Sequence, residues 1–314
     1  MTPMTISAEH TDRASGNSFR KWLLAPEPQG WFQSSVQQFH QGWLKFRLHP
    51  LGLIGLAIIV LLILVAIAAP LLTRYDPIVQ DMAGRLAPPS TQHWLGTDNF
   101  GRDVFARIVY GGRTTLYIIM LVSVIVAPLG LLIGTCSGYF GGIVDEILMR
   151  ITDIFLSFPG LVLALGFAAA LGPGITNAII AISLTAWPPI ARLARAETLS
   201  LRKADFIAAV RLQGATPLAI ITRHILPMCI PSVIVRVTLN MAGIIITAAG
   251  LGFLGLGAQP PWPEWGSMAA TGREFMLDSP WVIAAPGIAI ALVSLAFNLV
   301  GDALRDVLDP RGAE

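Results

Sequence analysis

The chain has 314 residues, 54% of them hydrophobic and 13% charged, with a formal net charge of +2. A soluble domain carries about 25% charged residues, and the deficit here is gathered into long uncharged runs, which excludes an ordinary soluble core and points to lipid as the solvent. So small a net charge gives no reason to expect nucleic acid, and Cys136, Cys229 and the scattered His10, His40, His49, His93 and His224 form neither a disulfide framework nor a metal-ligand cluster.

Residues 1–30 are polar, with Pro26 and Pro28 near their end, and the first apolar run, from about Leu51, is too long for a signal-peptide core. Residues 1–28 read as a tail. The next stretch, WFQSSVQQFHQGWLKF, places Phe32, Val36, Phe39, Trp43 and Phe46 at spacings of four, three, four and three, with Gln33, Gln37, Gln38, Gln41 and Lys45 on other faces. That period predicts an amphipathic helix lying in the membrane interface; an amphipathic helix packed on protein is the alternative, and the aromatic content suits it too. Residues 1–48 are therefore a cytoplasmic tail with an interfacial helix.

No Asp, Glu, Lys or Arg stands between Arg47 and Arg74, Arg113 and Asp145, Asp153 and Arg192, or Asp278 and Asp302. A span needs about 20 apolar residues, so each run is long enough. The first transmembrane segment is residues 49–73, with the helix at 51–72. A Pro-, Asp- and Arg-rich outer loop follows at 74–113, and the core of five further helices occupies 114–305. The second span, 114–140, carries Gly130, Gly134 and Gly138 at four-residue intervals, a smooth face for close helix approach. The uncharged stretch from 154 to 191 is broken by LGPG at 171–174, which predicts helices at 147–170 and 175–191. Spans at 229–253 and 281–301 complete an all-α, polytopic membrane protein of six transmembrane helices. Most Lys and Arg fall on the flanks that are inside if both termini, including the segment 306–314, are cytoplasmic.

Three letter patterns carry no chemistry. GLGFLG at 250–255 fits a dinucleotide fingerprint but follows an apolar helix and not a strand, and Lys21, Lys45 and Lys203 are in no phosphate-binding Gly-Lys-Ser/Thr sequence. GTDNFGRD at 96–103 lacks calcium-loop spacing and reads as a structured loop touching a partner. No catalytic or metal-binding residue is expected.

The segment 192–227 is the most basic, with Arg192, Arg195, Arg202, Lys203, Arg211 and Arg223. Within it, AAVRLQGATPLAIITRHILP reads as a helix stopped at Gly214, then Thr216 as a cap and Pro217 opening a second helix that ends before Pro227. This pattern resembles the EAA loop of importer permeases in the ATP-binding-cassette superfamily. Ala209, Gly214, Leu226 and Pro227 fall on pattern positions, Ala208 stands where the Glu would be, Val210 replaces an Ala, and His224 takes the Ile position. HWLGTDNFGRDVFARIVYGGRTTL, GYFGGIVDEILMRITDIFLSFPGLVLAL, LGFLGLGAQPPWPEWGSM and FNLVGDALRDVLDPR resemble the dipeptide/oligopeptide branch, in its second-permease (C-type) form, from about residue 50 onward.

The resemblance implies a type I importer permease fold in a bacterial inner or plasma membrane. It implies a second homologous permease subunit, two ATPase subunits that bind ATP and Mg, an external substrate-binding protein, lipid contact, and no cofactor in this chain. It also implies that Ala208, Ala209, Arg211, Gly214, Ala215, Thr216, Leu226 and Pro227 contact the ATPase. Nickel chelates, glutathione and D-amino-acid dipeptides are alternative solutes within the branch. A secondary transporter or an intramembrane hydrolase would need carboxylates or histidines well inside its spans, and there are none; the single ionisable residue at that depth is Arg236. Arg236, with Asn240 one turn on, is the expected pathway-facing pair, Arg236 meeting a carboxylate of substrate or of the partner permease; an arginine that snorkels or bonds backbone carbonyls is the structural alternative.

Overall fold

The computed structural model describes residues 31–308, so the expected tail at 1–28 and residues 309–314 of the C-terminal segment lie outside the described residues. The chain divides into Met1–Leu48 and His49–Glu314. In the first unit α1 (Trp31–Phe46) is a helix of 16 residues, with the rings of Trp43 and Phe46 stacked at 5.9 Å. The side chains of Phe32 and Phe39 lie outside the described residues.

The second unit is helical, and the one β-bridge among the described residues joins Thr97 to Asp103. Besides short turns such as Ala69–Leu72, its helices are α2 (Pro50–Ile67), α3 (Val104–Phe140), α4 (Gly142–Leu156), α5 (Gly160–Leu171), α6 (Ile175–Ala186), α7 (Pro188–Leu201), α8 (Asp205–Leu212), α9 (Pro217–Ile220), α10 (Leu226–Phe253), α11 (Trp265–Gly272) and α12 (Trp281–Leu308). Among the described residues, α2, α3, the run Pro217–Phe253 and α12 are each long and apolar enough to cross a membrane, and α4 with α5 makes a fifth candidate bent by 91°. The bent pair corrects the single helix expected at 147–170: Ser157 and Phe158 sit at the break, and Pro159, with no N–H to donate, precedes α5. The helix expected at 175–191 is likewise two, α6 and α7, meeting at Trp187 before Pro188 and Pro189. The second span begins ten residues earlier than expected, at Val104, where the Asp103 carboxylate caps the helix by accepting from the N–H of Ala106 at 2.6 Å.

Lipid is as apolar as leucine, so what holds such helices together is close packing and polar contact. The glycine stripe of α3 does this against α7. A Cβ added at Gly130 would lie 2.7 Å from Ile190 Cβ, at Gly134 2.3 Å from the carbonyl oxygen of Ala191, and at Gly138 2.8 Å from Thr198 Cβ. Three arginines of this region fix the same joint. Arg195 makes a bidentate pair with Asp145 at 2.6 Å to each oxygen, Arg192 meets Asp153 at 2.6 Å, and Arg202 donates to the carbonyls of Gly138 and Tyr139. The Ser137 hydroxyl also donates to Asp145.

At the end of the bundle where α3 begins, residues 73–103 are ordered around Asp98. Its carboxylate accepts from Arg102 Nε at 2.7 Å and from the backbone N–H groups of Phe100 and Arg102, with Arg107 Nε at 3.5 Å. All three charged side chains are buried. The two acidic residues of GTDNFGRD are therefore consumed inside the loop, Asp98 on arginines and Asp103 on the cap and on His93 Nδ1 at 2.9 Å. Among the described residues no cluster could hold a metal ion.

The glycines of GLGFLG have structural work of their own. Glu264 caps α11, accepting from the N–H groups of Gly266 at 2.7 Å and Ser267 at 2.8 Å, and a Cβ on Gly252 would come within 2.0 Å of its Oε2. Burial pushes the Glu264 carboxyl above its usual range, against the pull of the two N–H bonds.

Candidate functional site

The basic segment folds at the opposite end, where α3 finishes. Helix α8 stops at Gly214, whose φ is +85°. The N–H of Gly214 donates to the Arg211 carbonyl at 3.0 Å and that of Ala215 to the Val210 carbonyl at 3.3 Å. These are the two bonds of a Schellman turn, with Val210 and Ala215 each packed on the buried isoleucine cluster beneath it. Thr216 then accepts from the N–H of Ala219 at 3.3 Å, and Pro217 opens α9. Nothing lies within 4 Å of a Cβ built on Gly214, so the position demands glycine for its backbone and not for room.

The second helix does not end before Pro227. After α9 the chain makes one π turn, Ile221–Ile225, and continues into α10 with Pro227 in its first turn. A proline has no N–H to give and its ring crowds the preceding turn; the wider π turn accommodates it and the helix goes on. Beneath the turn, Ile207, Ile220, Ile225 and Cys229 are fully buried, packed with Leu131 and Tyr139 of α3. The buried isoleucine is Ile225, whereas His224, on the Ile position of the sequence pattern, is half-buried.

Of the expected contact residues, Ala208, Ala209, Arg211, Gly214, Thr216 and Pro227 are exposed, and Ala215 and Leu226 are half-buried. The Arg211 guanidinium sits 5.8 Å from the Tyr139 ring centre, a cation–π contact that ties α8 to α3.

Arg236 is exposed on α10 and lines a cleft of about 420 Å³ with Leu193, Glu197, Ser232, Leu239 and Arg305. Asn240 is not in that lining; its Nδ2 donates to the carbonyl of Ala186 at 3.3 Å, at the end of α6. Arg236 and Asn240 thus stand one helical turn apart on α10, the first lining the cleft and the second bonded to the end of α6.

The comparisons with known proteins bear directly on this geometry. A family model described as binding-protein-dependent transport system inner membrane component matches residues 127–313. The chain belongs to this family. A second model, the N-terminal TM domain of oligopeptide transport permease C, matches residues 37–89. The dipeptide transport system permease protein DppC of Alkalihalophilus pseudofirmus is 42% identical over 295 residues, 93% of this chain and 97% of the relative. The glutathione transport system permease protein GsiD of Escherichia coli O6:K15:H31 is 43% identical over 274 residues, 87% of this chain and 90% of the relative. The fold is that of a type I importer permease: a chain of the inward-facing MetNI methionine ABC transporter aligns with a TM-score of 0.52 and 22% identity over 65% of this chain and 97% of that one.

In this permease the turn carries a feature that the motif letters conceal. Leu212 is 91% exposed, Leu218 is 70% exposed, and Phe206 is also exposed, all three around Gly214. No other part of the described chain covers these apolar side chains. Phe206, Leu212 and Leu218 are legible in the sequence as apolar residues, but only the structure separates them from the buried Ile207, Ile220 and Ile225. Conversely, Arg192, Arg195 and Arg202 belong to the α3–α4–α7 joint, so the positive charge left at the surface near the turn is that of Lys203, Arg211 and Arg223.

Proposed function

We propose that this permease is one transmembrane half of an ATP-driven, binding-protein-dependent importer of di- or oligopeptides, or of a related small solute such as glutathione. ATP and its Mg are bound and hydrolysed by two separate ATPase subunits, a second homologous permease completes the pathway, and an external binding protein delivers the solute. Both termini are cytoplasmic, α1 lies on the membrane interface, and the bundle faces lipid through side chains such as the exposed Leu61 and Leu64 of α2. The relatives' names support the peptide class.

The observation that carries the coupling role is the Schellman turn at Gly214, held on a buried isoleucine core and flanked by bare Leu212 and Leu218. A rigid knob of this kind suits a groove in a partner that moves on nucleotide binding. The same reading puts Arg236 on the solute's route, because a guanidinium roughly 15 Å along α10 from its first residue is too deep to be routine on a lipid-facing surface.

The test is reconstitution with the ATPase subunits, the second permease and the binding protein. Peptide-loaded binding protein should stimulate ATP hydrolysis and uptake, and Leu212→Glu with Leu218→Glu should abolish both and prevent co-purification of the ATPase while the permease still inserts. Full stimulation in that double variant refutes the coupling surface. Arg236→Gln should shift preference among peptides and leave assembly intact; unchanged uptake of every peptide removes Arg236 from the pathway.

A further inference from the structure

The cleft containing Arg236 is bounded by α7, α10 and α12, and three of its lining residues bear charges that the structure leaves without counter-ions. Arg236 of α10 and Arg305 of α12 have no ion pair or side-chain hydrogen bond among the described residues. Glu197 of α7 has no cation within ion-pair distance, and its Oε2 is buried without a hydrogen-bond partner. The rest of the lining is Leu193, Val235, Leu239, Leu308 and Ser232. The neighbouring charges on α4 and α7 are paired, Asp145 with Arg195 and Asp153 with Arg192.

A carboxylate oxygen buried without a donor is costly, and the two exposed guanidiniums in the same lining hold charge that no group among the described residues pairs. The volume of about 420 Å³ lies within the range of small-molecule sites, roughly 300–1,000 Å³. Two guanidiniums can hold a carboxylate through several charge-assisted bonds, and a carboxylate can hold an ammonium. Between them, the four aliphatic side chains offer contact of no particular shape, suited to side chains of varied size.

We propose that this cleft is a binding site for a short zwitterionic peptide, with Arg236 and Arg305 taking its C-terminal carboxylate and Glu197 its N-terminal ammonium. The site lies toward the end of α12 and the start of α10, the end that carries the Gly214 turn, so it is an exit-side site. The assignment rests on the peptide-importer reading above. A purely anionic ligand would be repelled by Glu197, and an apolar one would leave all three charges exposed to it.

The experiment uses the permease pair with its ATPase subunits, without binding protein and without nucleotide, in phosphatidylcholine nanodiscs. Equilibrium binding of labelled alanyl-leucine is competed with unlabelled alanyl-leucine, its C-terminal amide and its N-acetyl derivative. The native complex should favour the unmodified dipeptide over each derivative by tenfold or more. Arg305→Gln should collapse the acid-over-amide preference and keep the amine-over-acetyl preference, and Glu197→Gln should do the reverse. Co-purification of the ATPase subunits and an unchanged elution volume show that the variants are assembled. Equal binding of all three compounds to the native complex, or ratios unchanged in both variants, overturns the proposal. So does selective retention of phosphatidylethanolamine that is lost in both variants without any peptide discrimination. Peptide uptake by the full importer is scored in parallel: uptake without discrimination at the cleft removes this site and leaves the importer standing, whereas absence of uptake for every peptide removes the importer reading itself.

Discussion

Replacing Gly214 separates what its backbone does from what its lack of a side chain does. At φ +85° with no atom within 4 Å of a Cβ, Gly214→Ala meets no clash, and its whole cost is that of a left-handed L residue, about 1–2 kcal/mol. Set against the alternatives open to an exposed turn, that weakens its native form roughly five- to thirtyfold. Asparagine tolerates the left-handed region better than alanine, so Gly214→Asn should recover much of the loss. Gly214→Trp adds to the strain a large ring at the contact surface. The assay is the concentration of ATPase subunits giving half-maximal peptide-stimulated hydrolysis in proteoliposomes. The expected order of that concentration is Gly, then Asn, then Ala, with Trp uncoupled while the protein still inserts. Alanine equal to the native residue, or asparagine no better than alanine, refutes the backbone argument; normal coupling with tryptophan refutes the docking role.

The remaining predictions concern the fold that holds this turn. Asp98→Asn leaves Arg102 and Arg107 buried without their counter-ion, and should cost about 3–5 kcal/mol, read as a large fall in the thermal midpoint of the detergent-solubilised protein; a midpoint close to native would show that the arginines find other partners. Gly134→Ala drives a methyl into the Ala191 carbonyl and should destabilise by about 1–3 kcal/mol, whereas Gly166→Ala, in the middle of α5 with open space around it, should be neutral or stabilise by up to about 1 kcal/mol. Equal effects at the two positions would contradict the packing account. Because burial raises the Glu264 carboxyl in the folded state, its protonated form is favoured by folding: stability from this group is greatest below the ordinary glutamate range and declines as pH rises through the raised folded value. Glu264→Gln should flatten that part of the stability–pH profile, and a variant whose profile parallels the native one would place the pH response elsewhere.

How far the sequence disclosed this arrangement depends on what kind of force acts at each point. Uncharged runs longer than 20 residues and the four-residue glycine period stand in the letters, because lipid burial and close helix approach constrain residue type directly. The Schellman turn was legible for the same reason: only glycine takes Gly214's φ cheaply. Breaks in the spans were harder. Ser157–Pro159 and Trp187–Pro188 carry prolines, but a proline can bend, end or merely begin a helix, and at Pro227 the same residue type interrupts nothing, the π turn absorbing it. Side-chain partners were the least legible. Arginines read as a surface charge proved divided between a structural joint and a free face, and Asn240, one turn on from Arg236, bonds the carbonyl at the end of α6, a partner that no period in the letters names.

The helix that begins at the turn has a mechanical implication. Pro217 to Phe253 is one unbroken run of 37 residues, about 55 Å long at 1.5 Å per residue, and its far end is locked where Gly252 presses on the Glu264 carboxylate. A stiff rod pinned at both ends cannot absorb a displacement at one of them by local fraying. Under the proposed coupling role, a shove on the Gly214 knob reaches the opposite face of the bundle as a tilt, and the widened turn at Ile221–Ile225, the least regular stretch of the rod, is where any slack in that transmission must lie.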